Sequence, residues 1–193
     1  MKILSYLVVE IIKEWICSQT ITAHTGSVYG LSMNDTQNRV ISCGLDQLIF
    51  THNKIKNGIQ YKRQMLIVLL QNMFYNDKIF TFQPISKEQM QVYKMGIIYK
   101  QFSKVKGFIV RSGSTSDCYL FPSQYIKQKC MVVNKKGYNV NLIRKQENED
   151  FIIEQSIDFE TFNLFGSISE DGEYLVTWDD KQKEIQIRKY QEK

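Results

Sequence analysis

From Val28 onward, short apolar runs alternate with polar, turn-forming clusters. Val28 to Met33 is one run, Asn34-Asp35-Thr36-Gln37-Asn38 breaks it, Arg39 to Cys43 is a second, and Gly44-Leu45-Asp46-Gln47 leads into a third, Leu48 to Thr51. Runs this short, bounded by Asn, Asp and Gly, predict strands joined by tight turns. The pattern recurs. Second-strand runs fall at Val40–Cys43, Ile79–Phe82, Cys130–Val133 and Tyr174–Thr177, and Ile41, Phe80, Met131 and Leu175 within them are spaced by 39, 51 and 44 residues. Third-strand runs, Leu48 to His52, Met90 to Lys94, Asn141 to Lys145 and Gln186 to Lys189, end at His52, Tyr93, Arg144 and Arg188, spaced by 41, 51 and 44. The last two close on nearly the same phrase, Leu142-Ile143-Arg144-Lys145 and Gln186-Ile187-Arg188-Lys189. With no long helical periodicity and only two prolines, the chain reads as all-β, built of repeated antiparallel meanders.

The remaining strands follow from position. Trp15 to Thr22, Gly58 to Arg63 and Phe151 to Asp158 are expected as outer strands, leading into inner strands at Val28 to Met33, Met65 to Leu70 and Phe162 to Ile168. Gly96 to Phe102 and Gly107 to Val110 are two further short strand candidates. Arg111 to Asp117, rich in Ser and Gly, is expected as a loop and accounts for the longer 51-residue spacing. The expected organisation is an amino-terminal segment at 1–14, an outer strand at 15–22, and units at 23–63, 64–102, 108–159 and 160–193.

The first unit carries polar residues at telling places: His24 just before the first strand, Ser42 inside the second, Asp46 in the turn after it, and His52 at the end of the third. Here the chain resembles a WD40 repeat. In that family a His, a Ser or Thr, an Asp and a Trp at these positions form a buried hydrogen-bonded network, which the resemblance places on His24, Ser42, Asp46 and His52. The Gly-His and Trp-Asp signatures are Ala23-His24 and His52-Asn53 here, so the indole is missing. The resemblance implies a β-propeller of about four blades, read as an open arc belonging to a larger propeller. It also implies a protein-interaction scaffold.

Composition refines this picture. Hydrophobic residues make up 43% and aromatic residues 12%, values of a globular chain. Net charge is +5, but unevenly spread: residues 1–60 carry +1, residues 61–146 carry +12 and residues 147–193 carry −8. A basic middle beside an acidic end predicts either two partner surfaces or attraction between segments. Cys17, Cys43, Cys118 and Cys130 show no CxxC pairing and are expected as reduced core thiols of an intracellular protein, cytoplasmic or nuclear. The opening MKILSYLVVEIIKEW is interrupted by Glu10, lacks a small-x-small cleavage site, and is too short and too charged to span a membrane.

Candidate chemistry is sparse. His24, His52, Cys43 and Asp46 show no spacing typical of structural zinc, so no metal is expected, and no cofactor. Ser, His and Asp occur together around residues 24 to 46, but no G-x-S-x-G elbow accompanies them. Gly107 to Gly113 lacks the Gly-Lys-Ser/Thr ending of a phosphate loop and is expected as a flexible connection. The pair Asp179-Asp180 is expected as solvated turn carboxylates. The reading is therefore a chain that is not an enzyme and that binds protein partners, with self-association through open blade edges. The alternative is RNA binding by segment 61–146, where Tyr93, Tyr99, Phe102 and Phe108 interleave with lysines.

Overall fold

The computed structural model describes residues 14–17, 20–46, 48–55, 58–65, 69–84, 87–98, 101–114, 116–117 and 121–191, with the backbone alone at 49–55, 58–65 and 69–72. The strands group into four antiparallel sheets that follow chain order. The first holds β1 (Val28–Met33), β2 (Arg39–Gly44), β3 (Leu48–Ile55) and β4 (Gly58–Met65), side by side in that sequence. The second repeats it with β5 (Leu69–Asn76), β6 (Ile79–Pro84), β7 (Gln89–Met95) and β8 (Phe102–Ile109), and the third with β9 (Gln124–Ile126), β10 (Met131–Lys136), β11 (Asn139–Lys145) and β12 (Phe151–Asp158). The fourth has three strands among the described residues: β13 (Leu164–Ile168), β14 (Tyr174–Asp179) and β15 (Ile185–Lys189).

Each sheet packs its face on the next, which makes the chain a partial β-propeller. Ile41 and Cys43 of the first sheet share a core with Phe74, Phe80 and Tyr93 of the second. Val92 and Met90 meet Val132 and Ile143 between the second and third, and Val133 and Leu142 meet Leu164 and Leu175 between the third and fourth. Covering on both faces explains why β6 and β10 are buried at every residue, whereas β14 alternates buried and exposed positions. Where the core is aromatic it is ordered: Tyr93 stacks on Phe80 with centroids 4.9 Å apart, and Phe108 stacks on Phe151 at 5.3 Å. Those tyrosine and phenylalanine rings of the basic middle thus serve the core, while Tyr99 lies outside the described residues.

Polar latches at the turns tie neighbouring sheets. Asn34 Nδ2 donates to Asp77 Oδ1 at 2.6 Å and the Arg39 guanidinium donates to the Asp77 carbonyl at 3.0 Å, joining the first sheet to the second. Lys94 pairs with Glu149 at 2.7 Å, Lys106 with Asp150 at 2.8 Å, and Lys129 with Glu173 at 2.7 Å. All three join the basic middle to the acidic end.

Four strand assignments differ from expectation. The inner strand of the second sheet is Leu69–Asn76 rather than Met65 to Leu70, because Met65 ends β4 opposite Leu48 and the buried residues Met73, Phe74 and Tyr75 lie further on. One strand, Phe102–Ile109, replaces the two short candidates between Met95 and Cys118. The three-residue inner strand Gln124–Ile126 has no counterpart in the apolar pattern. Residues 14–17 and 20–22 form no strand, and Trp15 is fully exposed. Among the described residues no helix is long and apolar enough to cross a membrane.

Candidate functional site

Strand 1 of each sheet begins at the rim where strand 2 ends, so the loop entering a sheet lies against the turn between its second and third strands. In the first sheet this brings His24, Ser42 and Asp46 together. His24 Nδ1 lies 3.0 Å from both carboxylate oxygens of Asp46, and His24 Nε2 lies 2.8 Å from Ser42 Oγ. The backbone N–H of Thr25 donates to Asp46 Oδ2 at 3.0 Å, and that of Leu48 donates to Oδ1 at 3.3 Å. Burial pushes the Asp46 carboxyl up, but the hydrogen bonds from His24 and the Thr25 N–H outweigh it and hold the group below its ordinary range. Gly44 completes the fit, since a Cβ there would come within 2.6 Å of the Ser27 carbonyl and 3.1 Å of His24 Nδ1.

The order Ser42, His24, Asp46 matches the bonding of a hydrolytic triad, with serine on one ring nitrogen and carboxylate on the other. Access separates the two cases. Ser42 is 3% exposed, beneath the ring of His24. A nucleophile must be reachable by an acyl carbon, so this trio works as a clasp between loop and turn.

The same clasp recurs with other chemistry. At the entry to the fourth sheet, Thr161 Oγ1 donates to Asp180 Oδ1 and Asn163 Nδ2 to Asp180 Oδ2, each at 2.7 Å. At the entry to the third, Asp117 takes an ion pair from Lys135 and another from Lys136, the latter at 3.4 Å. Both lysines are buried, at 0% and 1% exposure, and Lys136 also donates to the Pro84 carbonyl at 3.3 Å. Burial pulls the Lys136 ammonium below its ordinary value, and the Asp117 carboxylate opposes that shift.

The described residues of 111–117 form the expected loop, and it is pinned; the flexible connection expected over Gly107 to Gly113 is not one, since Gly107, Phe108 and Ile109 belong to β8. Residues 111–114 lie over the β10–β11 hairpin, where Asn141 Nδ2 donates to the Arg111 carbonyl at 2.9 Å and the Tyr138 N–H donates to the Ser112 carbonyl at 2.6 Å. Gly137, at φ 55°, makes room: a Cβ would stand 2.1 Å from the Ser112 oxygen.

Of the residues singled out in the sequence, His24, Ser42 and Asp46 converge. His52 sits in β3 opposite Val40, and its side chain lies outside the described ones. Asp179 and Asp180 are not solvated turn carboxylates. Asp179 is 1% exposed and accepts from the N–H groups of Lys181 and Gln182, and Asp180 holds the entry loop. The expectation of core thiols holds for Cys43, whose thiol burial pushes up to about 12, whereas Cys17 and Cys130 are exposed and Cys118 lies outside the described residues. Sequence reasoning missed Asp117, Lys135 and Lys136, because adjacent lysines in a turn read as solvated.

The sequence matches no family model and no curated protein. The fold does have relatives among solved structures. A candidate 6-phosphogluconolactonase of Bacteroides uniformis aligns at TM-score 0.63 and 8% identity over 86% of this chain and 51% of that one. Another from Bacteroides fragilis aligns at TM-score 0.66 and 9% identity, over 85% and 51%. Saccharomyces cerevisiae Sqt1 aligns at TM-score 0.61 and 12% identity, over 84% and 47%. The chain spans about half the length of these proteins. At such identity the likeness shows the fold alone, a β-propeller architecture. It nevertheless overturns the expectation that the chain is not an enzyme, because two proteins sharing this fold carry an enzyme's name, and the architecture gives no ground for excluding catalysis.

Proposed function

We propose that this chain is a WD40-type propeller segment that holds protein partners on the rim where each entry loop meets its clasp. The carrying observation is the His24–Asp46 clasp at 3.0 Å, with its counterparts at Asp117 and Asp180. Loops pinned at several points by buried, charge-assisted bonds present a surface of fixed shape, and such a surface binds without a large ordering cost. Leu45, in the clasped turn of the first sheet, is 58% exposed, and Arg111 is exposed on the clasped loop of the third.

The test replaces these outward side chains while leaving the clasps intact. Proteins retained saturably by the purified chain are compared with those retained by the Leu45→Glu, Arg111→Glu double variant at unchanged melting midpoint. Loss of a specific partner supports rim binding. Retention of the same partner at the same affinity, or no saturable partner at all, counts against it.

A further inference from the structure

In the second, third and fourth sheets the two middle strands pair at a position that faces the preceding sheet: Phe80 with Tyr93, Val132 with Ile143, and Leu175 with Arg188. The first two pairs are buried in the cores they share with the sheet before them. In the fourth sheet Leu175 keeps that role, packing with Met131 and Leu142, but its partner is an arginine. A guanidinium at an otherwise apolar position is costly unless something offsets its lost hydration.

The position of Arg188 is fixed while its charge stays unmatched. Nη1 donates to Thr177 Oγ1 at 2.8 Å, Nη2 donates to Gln186 Oε1, and the guanidinium carbon lies 4.7 Å from the centre of the Phe159 ring. These partners are neutral, and they leave three of the five N–H donors of a guanidinium unused. Among the described residues no carboxylate pairs with it. Beside it the third and fourth sheets leave a cavity of about 370 Å³, a size typical of small-molecule sites. Its apolar wall is Met131, Leu142, Ile157, Ile168 and Leu175. Two cations, Arg188 and Lys189, line it against one carboxylate, Glu173, which already pairs with Lys129 at 2.7 Å. Tyr190 forms a further wall and is held there: its N–H donates to the Glu173 carbonyl at 2.8 Å, its hydroxyl accepts from Arg144 Nη2 at 3.3 Å, and Lys129 Nζ stands 4.1 Å from its ring centre.

We propose that this cavity binds a small apolar carboxylic acid, its carboxylate on Arg188 and its hydrocarbon body against the apolar wall. Charge selects the anion, since the excess of cations in the lining has no counterpart there. A carboxylate presents two oxygens in a plane, the arrangement that the remaining guanidinium N–H groups are built to meet. The five apolar side chains select the rest of the molecule, because a second polar group set among them would lose its water without gaining a partner. Arg188 and Tyr190 are tied in place before any ligand arrives, so little ordering opposes binding. The site is also separate from the clasped rim: Leu175 stands near the start of β14, and the clasp aspartate Asp180 follows its end.

Calorimetric titration with octanoate, and with 1-octanol as its uncharged analogue, tests this. The native chain is expected to bind octanoate saturably and more tightly than 1-octanol. Arg188→Ile, which sets at this place the residue type that the third sheet has at Ile143, is expected to unfold in urea at the native midpoint or above it. It should bind octanoate at least about tenfold more weakly while 1-octanol binding is unchanged. Arg188→Lys, which keeps the charge but not the fork, should recover part of the difference. Absence of saturable octanoate binding, equal affinity for octanoate and 1-octanol, or an Arg188→Ile variant that binds octanoate as the native chain does would each overturn the proposal. If Arg188→Ile lowers the midpoint, Ile157→Trp decides, since it fills the cavity from β12 and leaves the arginine in place: loss of octanoate binding at the native midpoint supports the site, and retained binding overturns it. None of these readouts depends on which partner the rim holds.

Discussion

Thr25 and Thr161 stand 136 residues apart at the same place in their blades, and each bonds the aspartate of its blade's turn: Thr25 through its backbone N–H to Asp46, Thr161 through its hydroxyl to Asp180. The acceptor is held constant while the side-chain donor beside it changes, His24 in one blade, itself bonded to Ser42, and Asn163 in the other. The third blade reverses polarity, with the carboxylate on the loop and two ammoniums on the hairpin. What persists is the joint between entry loop and turn.

Removing the constant member should therefore cost folding. Asp46→Ala takes the acceptor from the part-buried His24 ring and from the N–H groups of Thr25 and Leu48, and a loss of about 1–3 kcal/mol is expected. Urea unfolding at pH 7 measures it, as a lower midpoint at unchanged slope. An unshifted midpoint would show that the clasp carries no stability.

The strand rhythm was legible because alternate burial and turn chemistry leave local marks: Val28–Met33, Phe151–Asp158 and Ile185–Lys189 could be placed to within a residue or two. The first clasp was legible through its resemblance, three residues long. Less legible was whatever the third dimension decides. Gln124–Ile126 is too short for a period, and the run Met65 to Leu70 is apolar without being one strand. Lys135 and Lys136 are buried only because loop 111–117 brings Asp117 over them, and nothing in a Lys-Lys-Gly turn announces that loop. The propeller arc itself depends on sheets packing in sequence, which spacing suggests but cannot fix.

Acid should loosen the first blade before it touches the core. Asp46 is raised by burial but lowered more by its donors, and Asp77 is held down first by the Thr36 N–H, then by Thr36 and Asn34 side chains. Both carboxyls therefore titrate lower in the folded chain than in the unfolded one, where the value is about 3.9. Their contribution is complete above that value and disappears as pH falls through the lower folded values. Stability measured from pH 7 downward should stay level on their account until about pH 4, then decline, and Asp77→Asn should flatten part of the decline. A decline already complete well above pH 4, or one indifferent to Asp77→Asn, would contradict the assignment.

Thiol labelling should sort the cysteines by place in the fold. Cys17 and Cys130 are exposed, and both should react with a disulfide reagent at pH 8 on the timescale of a free thiol. Cys43 is completely buried, with its thiol pushed to about 12, and should react only as the chain unfolds. Urea titration followed by labelling at Cys43 should track global unfolding. Prompt reaction of Cys43 in native buffer would mean that the first and second sheets part locally.

The joint in the third blade offers the sharpest contrast between neutralising a charge and removing a shape. Asp117→Asn keeps the side-chain volume but takes away the carboxylate that two buried ammoniums share, and breaking a buried pair from one side costs about 3–5 kcal/mol. Gly137→Ala keeps the charges but sets a methyl against the Ser112 carbonyl at a positive φ, where strain of about 1–3 kcal/mol is expected. The two act on the same loop by different means. Raising the pH toward the range where Lys136, its ammonium already weakened by burial, gives up its proton should relieve part of the Asp117→Asn defect and none of the Gly137→Ala defect. Urea midpoints of both variants at pH 7 and pH 9.5 decide it. Equal response to pH would show that loop 111–117 is held by packing, with the ion pair incidental.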